Sequence, residues 1–126
     1  MRRFWLGAGL LGVLLAAGIW ITMTMHRFHI PVSVKITQAE EAAWEERWGD
    51  AAALLKEAEA LWTKHRSFSA AVADHEPMEE IDSLFAQVRC YAALGERAEC
   101  AAVCAELATL TRAMAEAHAL NWWNLM

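Results

Sequence analysis

The run FWLGAGLLGVLLAAGIWITMTM, Phe4 to Met25, decides the architecture, because its 22 residues include no charged side chain. A helix rising about 1.5 Å per residue crosses a hydrocarbon core of about 30 Å in roughly 20 residues, so this run is long enough to span. Trp5 and Trp20 stand near its ends, where an amphipathic indole favours the headgroup level. Arg2 and Arg3 precede the run; Arg27 and Lys35 follow it, diluted by Glu40, Glu41, Glu45 and Glu46. Basic residues beside a span keep their end on the cytoplasmic side. The expected topology is therefore a single pass in the cell membrane, with a cytoplasmic N-terminus and an extracytoplasmic C-terminal domain.

Two other features bear on this segment. Ala16-Ala17-Gly18 offers small residues of the kind found at a signal-peptide cleavage site. Ile19-Trp20-Ile21 carries the apolar run past that point, which favours a retained signal-anchor over residues 1–25. Ala8, Gly12 and Ala16 form a small-xxx-small row through which two spans could approach as a homodimer.

The remaining 101 residues have room for one small domain. With Arg2 and Arg3 set aside from the 11 basic residues, nine face 16 acidic ones, a net charge of −7. Such a domain repels phosphate backbones, so nucleic acid is not an expected partner. The three cysteines, Cys90, Cys100 and Cys104, are an odd number and argue against a disulfide framework. Cys100 and Cys104 share a helical face and are expected to fill the core rather than hold a metal.

Residues 26–36, HRFHIPVSVKI, read as a juxtamembrane linker. Pro31 and the alternation Val32, Val34, Ile36 favour extended backbone. His26 and His29 lack a third ligand nearby and read as an interfacial pair. The helical domain then occupies 37–126. Thr37-Gln38-Ala39-Glu40 fits a capping box, predicting a helix from Gln38 to Arg47 that stops at Gly49, with Asp50 capping the next. In that second helix Leu54, Ala58, Leu61, His65, Phe68 and Val72 follow a 4-3-4-3-4 seam, widened by Leu55 and Trp62. The phase breaks at Asp74-His75-Glu76-Pro77, which predicts a turn. A third helix over about Pro77–Leu94 presents Met78, Ile81, Leu84, Phe85, Val88 and Tyr91, and Gly95 ends it. A fourth, about Glu96–Ala119, presents Cys100, Val103, Cys104, Leu107, Leu110, Met114 and Ala117.

GDAAALLKEAEAL from Gly49 and GERAECAAVCAEL from Gly95 resemble each other at an offset of 46. This allows stacked, tetratricopeptide-like hairpins, although that family's period is about 34. The closing LNWWNLM is a poor solvated tail. Trp122 and Trp123 either cover the open end of the bundle or form a contact site for membrane or partner.

Asp74, His75 and Glu76 form the densest titratable cluster. A histidine between carboxylates could work as an acid, a base or a metal ligand, but consecutive residues point apart and the cluster sits where a helix pair needs caps. No phosphate loop, nucleophile elbow or zinc spacing occurs. No cofactor and no enzymatic activity are expected.

An anchor followed by WGDAAALLKEAEALW (Trp48–Trp62), DHEPMEEID (Asp74–Asp82) and a closing NWWNLM resembles a family of small bacterial membrane-anchored proteins catalogued only as a domain of unknown function. The resemblance covers nearly the whole chain. It implies an envelope protein of helical fold, often encoded beside a multi-pass membrane protein, and supplies no catalytic residue. Pro77 departs from the commoner form of the second element.

The expectation is thus an all-α chain: an N-terminal transmembrane helix, then an antiparallel bundle of three or four helices. Its expected role is an interaction or scaffolding module whose partner is another membrane protein. The alternative is a metal- or proton-sensing accessory subunit using Asp74, His75 and Glu76.

Overall fold

The computed structural model describes the backbone of residues 1–72 and 75–124, with side chains described for all of these except 25–26, 28–29, 65, 67–72, 75–76, 115 and 117–124. The described residues form four helices: α1 (Arg2–Trp44), α2 (Trp48–Val72), α3 (His75–Leu94) and α4 (Arg97–Asn124). The all-α expectation holds. Each helix packs on two neighbours, in the cyclic order α1–α2–α3–α4, and the α1–α4 pair shares the longest contact. That closure makes a four-helix bundle rather than a stacked array of hairpins, which would leave the first and last helices apart.

The largest departure from the sequence reading is the linker. α1 runs unbroken through residues 26–36, with Pro31 inside it. A proline within a helix costs about 3 kcal/mol through a lost hydrogen bond and a steric clash. Val32, Ile36, Ala39 and Ala43, spaced 4-3-4, are all fully buried. Val32 and Ile36 alone return about 1.5–3 kcal/mol each on burial, enough to hold the helix through Pro31. Val34, the middle member of the supposed alternation, is 48% exposed on the outer face. The alternation spans little more than one turn of helix, too short a window to separate a period of two from one of 3.6.

The capping box goes with the linker. Thr37 lies inside α1, and its hydroxyl donates back to the Ser33 carbonyl at 2.9 Å. Buried Ser33 donates likewise to the Ile30 carbonyl at 2.9 Å. α1 ends at Trp44, short of the expected Arg47, in a Schellman turn: the Arg47 N–H bonds the Ala42 carbonyl at 2.9 Å and the Glu46 N–H bonds that of Ala43 at 3.1 Å. The left-handed position is Glu46, at φ 59°. Gly49 lies within the first turn of α2, and Asp50 follows inside the helix instead of capping it.

α3 ends in the same way. Glu96 N–H bonds the Tyr91 carbonyl at 3.0 Å and Gly95 N–H bonds that of Ala92 at 3.3 Å. Here the left-handed residue is the expected Gly95, at φ 69°. The structural equivalent of Gly95 is therefore Glu46 and not Gly49, so the internal similarity is out of register with the architecture. Convergent alanine-rich helices account for it.

Two helices meet at the predicted break: α2 ends at Val72 and α3 begins at His75. Pro77 is the third residue of α3, in the first turn, where its missing N–H has no carbonyl to serve. α3 buries Met78, Ile81, Leu84, Phe85 and Val88 as predicted, with Tyr91 partly covered. α4 buries Cys100, Val103, Cys104, Leu107 and Met114, with Leu110 partly covered. The α2 face is rotated from its predicted centre. Ala51, Leu55, Ala58 and Trp62 are buried, whereas Leu54 and Leu61 lie at the edge.

Candidate functional site: the apolar segment of α1 and the bundle base

α1 carries two surfaces on one rod. Arg2–Thr24 is long and apolar enough to cross a membrane, and 6% of its apolar window is buried. A signal sequence meets the same measure of length and composition. Phe4 is 75% exposed and Trp20 61%, with Leu10, Leu11, Val13 and Leu14 exposed between them. A helix apolar all round and uncovered by protein suits lipid, not water. Ala8, Gly12 and Ala16 lie exposed along this segment, and a Cβ on Gly12 would meet open space.

The segment changes character near its end. Gly18 is buried, and Leu15, Ile21, Thr22 and Thr24 are half-buried. From Val32 onward α1 belongs to the core. The bundle and the apolar segment therefore overlap along α1, with no tether between them.

Ion pairs fix the register of the helices around α1. At the far end, the Arg97 guanidinium stands 3.7 Å from Glu46 and 5.8 Å above the Trp44 ring. The Trp48 ring lies 3.8 Å from where a Cβ on Gly95 would be, joining the two Schellman turns. Lys35 Nζ donates to Glu57 at 2.8 Å, aligning α2 against α1. Between α2 and α3, Trp62 Nε1 donates to Asp82 Oδ1 at 2.7 Å and Arg66 Nε to Asp82 Oδ2 at 3.0 Å. Arg89 pairs with Glu59 on the same two helices. An acid near the start of a helix, as Asp82 is in α3, reads from sequence alone as a partner for the helix dipole. Its link to Trp62 and Arg66 joins elements 16 and 20 residues apart, which helical periodicity does not report.

Beside Arg89 and Glu59 a cleft of about 430 Å³ opens between α2 and α3, floored by Ala52, Leu55, Ala92 and Ala93. Alanines on both helices leave the groove and aliphatic stems with charged heads rim it.

Cys100 and Cys104 fill the core as expected. Cys100 and Cys104 are buried and Cys90 is exposed. Burial pushes the Cys104 thiol up, with the neighbouring Cys100 and the Glu40 charge adding to it. Cys100 is also raised by burial, opposed by its hydrogen bond to Cys104. A thiol held protonated in the fold beyond the pH at which the unfolded chain ionises contributes stability that is complete below the unfolded thiol range. That contribution is lost as pH rises through and beyond that range, so the melting temperature is expected to fall above about pH 9. With a thiol reagent at neutral pH, Cys90 alone should react in the folded protein. Fast reaction of all three would mean that the α4 face is misassigned.

Of the charged and aromatic residues singled out from sequence, the described ones lie at the start of α3 and the end of α4. Asp74 lies outside the described residues. His75 and Glu76 open α3 and Trp122 and Trp123 belong to the last turn of α4, but their side chains lie outside the described residues, as do those of His26 and His29. Among the described residues no group of three or more His, Cys, Asp or Glu is placed to hold a metal ion.

The model of a family described as "Domain of unknown function (DUF4363)" matches residues 19–125. No curated protein and no solved structure matches the chain.

Proposed function

Since the chain belongs to the DUF4363 family, whose description assigns no activity, we propose a role from its geometry: a membrane-anchored, extracytoplasmic helical module that presents an interaction surface to another membrane protein. The supporting observation is the unbroken α1, which joins an exposed apolar segment to the core stripe Val32, Ile36, Ala39 and Ala43. A flexible linker would let the bundle roam; a helix shared by anchor and core holds it at fixed height and azimuth. That suits a scaffold more than a catalyst awaiting a diffusing substrate. The acidic domain surface and the small-residue cleft between α2 and α3 are the faces available to a partner helix.

The topology rests on Arg2 and Arg3. In intact cells, an impermeant thiol reagent is expected to label Cys90 without prior permeabilisation. Protection of Cys90 until the membrane is opened, with labelling afterwards, would place the domain in the cytoplasm. Crosslinking from membranes followed by identification of the captured chain tests the scaffolding role. Recovery of the protein alone, at crosslinker levels that trap known membrane complexes, would count against it.

A further inference from the structure

The register of the bundle against α1 has a consequence at the membrane. α4 runs antiparallel to α1, and Arg97 is set against Glu46 and Trp44. The Glu40 charge acts on Cys104, so the pairing advances one residue for one residue down both helices. Helix α4 continues to Asn124. Followed at about 1.5 Å per residue, positions 122 and 123 come level with α1 residues 20–22. That is inside the apolar segment, which extends to Thr24, and beside Trp20. The burial of Gly18 and partial burial of Ile21 and Thr22 mark the same level.

We propose that the C-terminal end of α4 enters the lipid headgroup–acyl boundary next to α1, as a second membrane contact whose occupant is the lipid itself. This rests on the anchored reading above. The overlap of α1 residues 19–24 amounts to about 8 Å, within the depth of about 5–10 Å at which interfacial segments lie. Charge agrees with it. After Glu116 the sequence AHALNWWNLM carries no Asp, Glu, Lys or Arg in a domain otherwise crowded with acids. Tryptophan is enriched at this depth, where its ring is apolar and its N–H stays wet.

The base is asymmetric. The Lys35–Glu57 pair brings the end of α2, Val72, level with about residue 20 of α1 as well. Beyond it the sequence runs through Asp74 into His75 and Glu76, the first residues of α3, which headgroup water holds far better than hydrocarbon. The uncharged α4 side therefore enters the bilayer and the acidic α2–α3 side stays above it, so that the bundle leans toward α4.

The test uses the full chain in phosphatidylcholine vesicles, with and without bromine on the upper acyl chain, against Trp122→Phe/Trp123→Phe. Bromolipid quenches indoles at its own depth. The emission removed by the double substitution is expected to be quenchable, so that the quenched intensity falls to about half, leaving Trp5 and Trp20. If the removed emission is not quenchable, the α4 contact is overturned while the anchor stands. If Trp5 and Trp20 also escape quenching, the anchored reading fails and takes this proposal with it. The single variants Trp122→Phe and Trp123→Phe carry the same comparison should the double variant lose helix content. Because the segment is uncharged, phosphatidylglycerol in the vesicles should change nothing; a requirement for it would overturn the proposal.

Discussion

Ile36→Asp is expected to unfold the bundle while leaving the chain in the membrane. Ile36 is fully buried in the middle of the α1 stripe. Removing its side chain forfeits about 2–5 kcal/mol in transfer and cavity energy. An unpaired carboxylate at that position adds several kcal/mol more, or forces its own protonation. A small domain has about 5–15 kcal/mol to lose. The measurement is thermal unfolding of the full chain in detergent by circular dichroism, alongside membrane fractionation. A lost cooperative transition with unchanged fractionation is the expected result. Val34→Asp, two residues away on the outer face, should melt within about 0.5 kcal/mol of the parent. Equal behaviour of the two would restore residues 26–36 as a tether outside the fold.

That pair of substitutions isolates what the sequence concealed. Val32, Val34 and Ile36 satisfy a period of two, and Val32, Ile36, Ala39 and Ala43 satisfy a helical one. The short window favoured the first because Pro31 argued for extended backbone. Only contact with α2 and α4 decides it, and contact is not local. The capping box failed for the same reason. A threonine followed by a glutamate caps a helix only if the helix begins there; within a longer helix the same hydroxyl turns back to the preceding carbonyl.

Other elements were legible because their signals are local. Gly95 after a helical run predicts a left-handed cap, and it is one. The phase break at Asp74–Pro77 predicts two helices, and α2 and α3 meet there. Glu46 illustrates the limit. A Schellman turn can place a non-glycine residue at its left-handed position when the flanking helices dictate the turn, and composition then points to the nearest glycine instead. Of the site, the apolar segment was legible from length alone. Its overlap with the bundle was not, because it follows from the Arg97–Glu46 and Lys35–Glu57 registers, set between helices far apart in sequence.

Leu55→Ala is expected to destabilise the bundle by about 2–5 kcal/mol, and Leu61→Ala by distinctly less. The sequence seam made Leu61 central and Leu55 peripheral. In the structure Leu55 is 1% exposed, and Leu61 lies half-buried at the edge of the core. Trp62 explains the rotation. Its indole is 2% exposed and its N–H is tied to Asp82 on α3, so α2 turns to seat the largest side chain over the core. Leu55, two turns earlier, comes inward with it. The cost at Leu55 should fall toward the lower part of the range, because Leu55 also floors the α2–α3 cleft and water can enter the space it leaves. Lys56→Ala, exposed on the cleft rim, serves as the control and should stay within about 0.5 kcal/mol. Urea unfolding of the three variants ranks them directly. A larger loss for Leu61→Ala than for Leu55→Ala would mean that α2 is rotated back to its sequence-predicted face, and the Trp62–Asp82 bond could not then form.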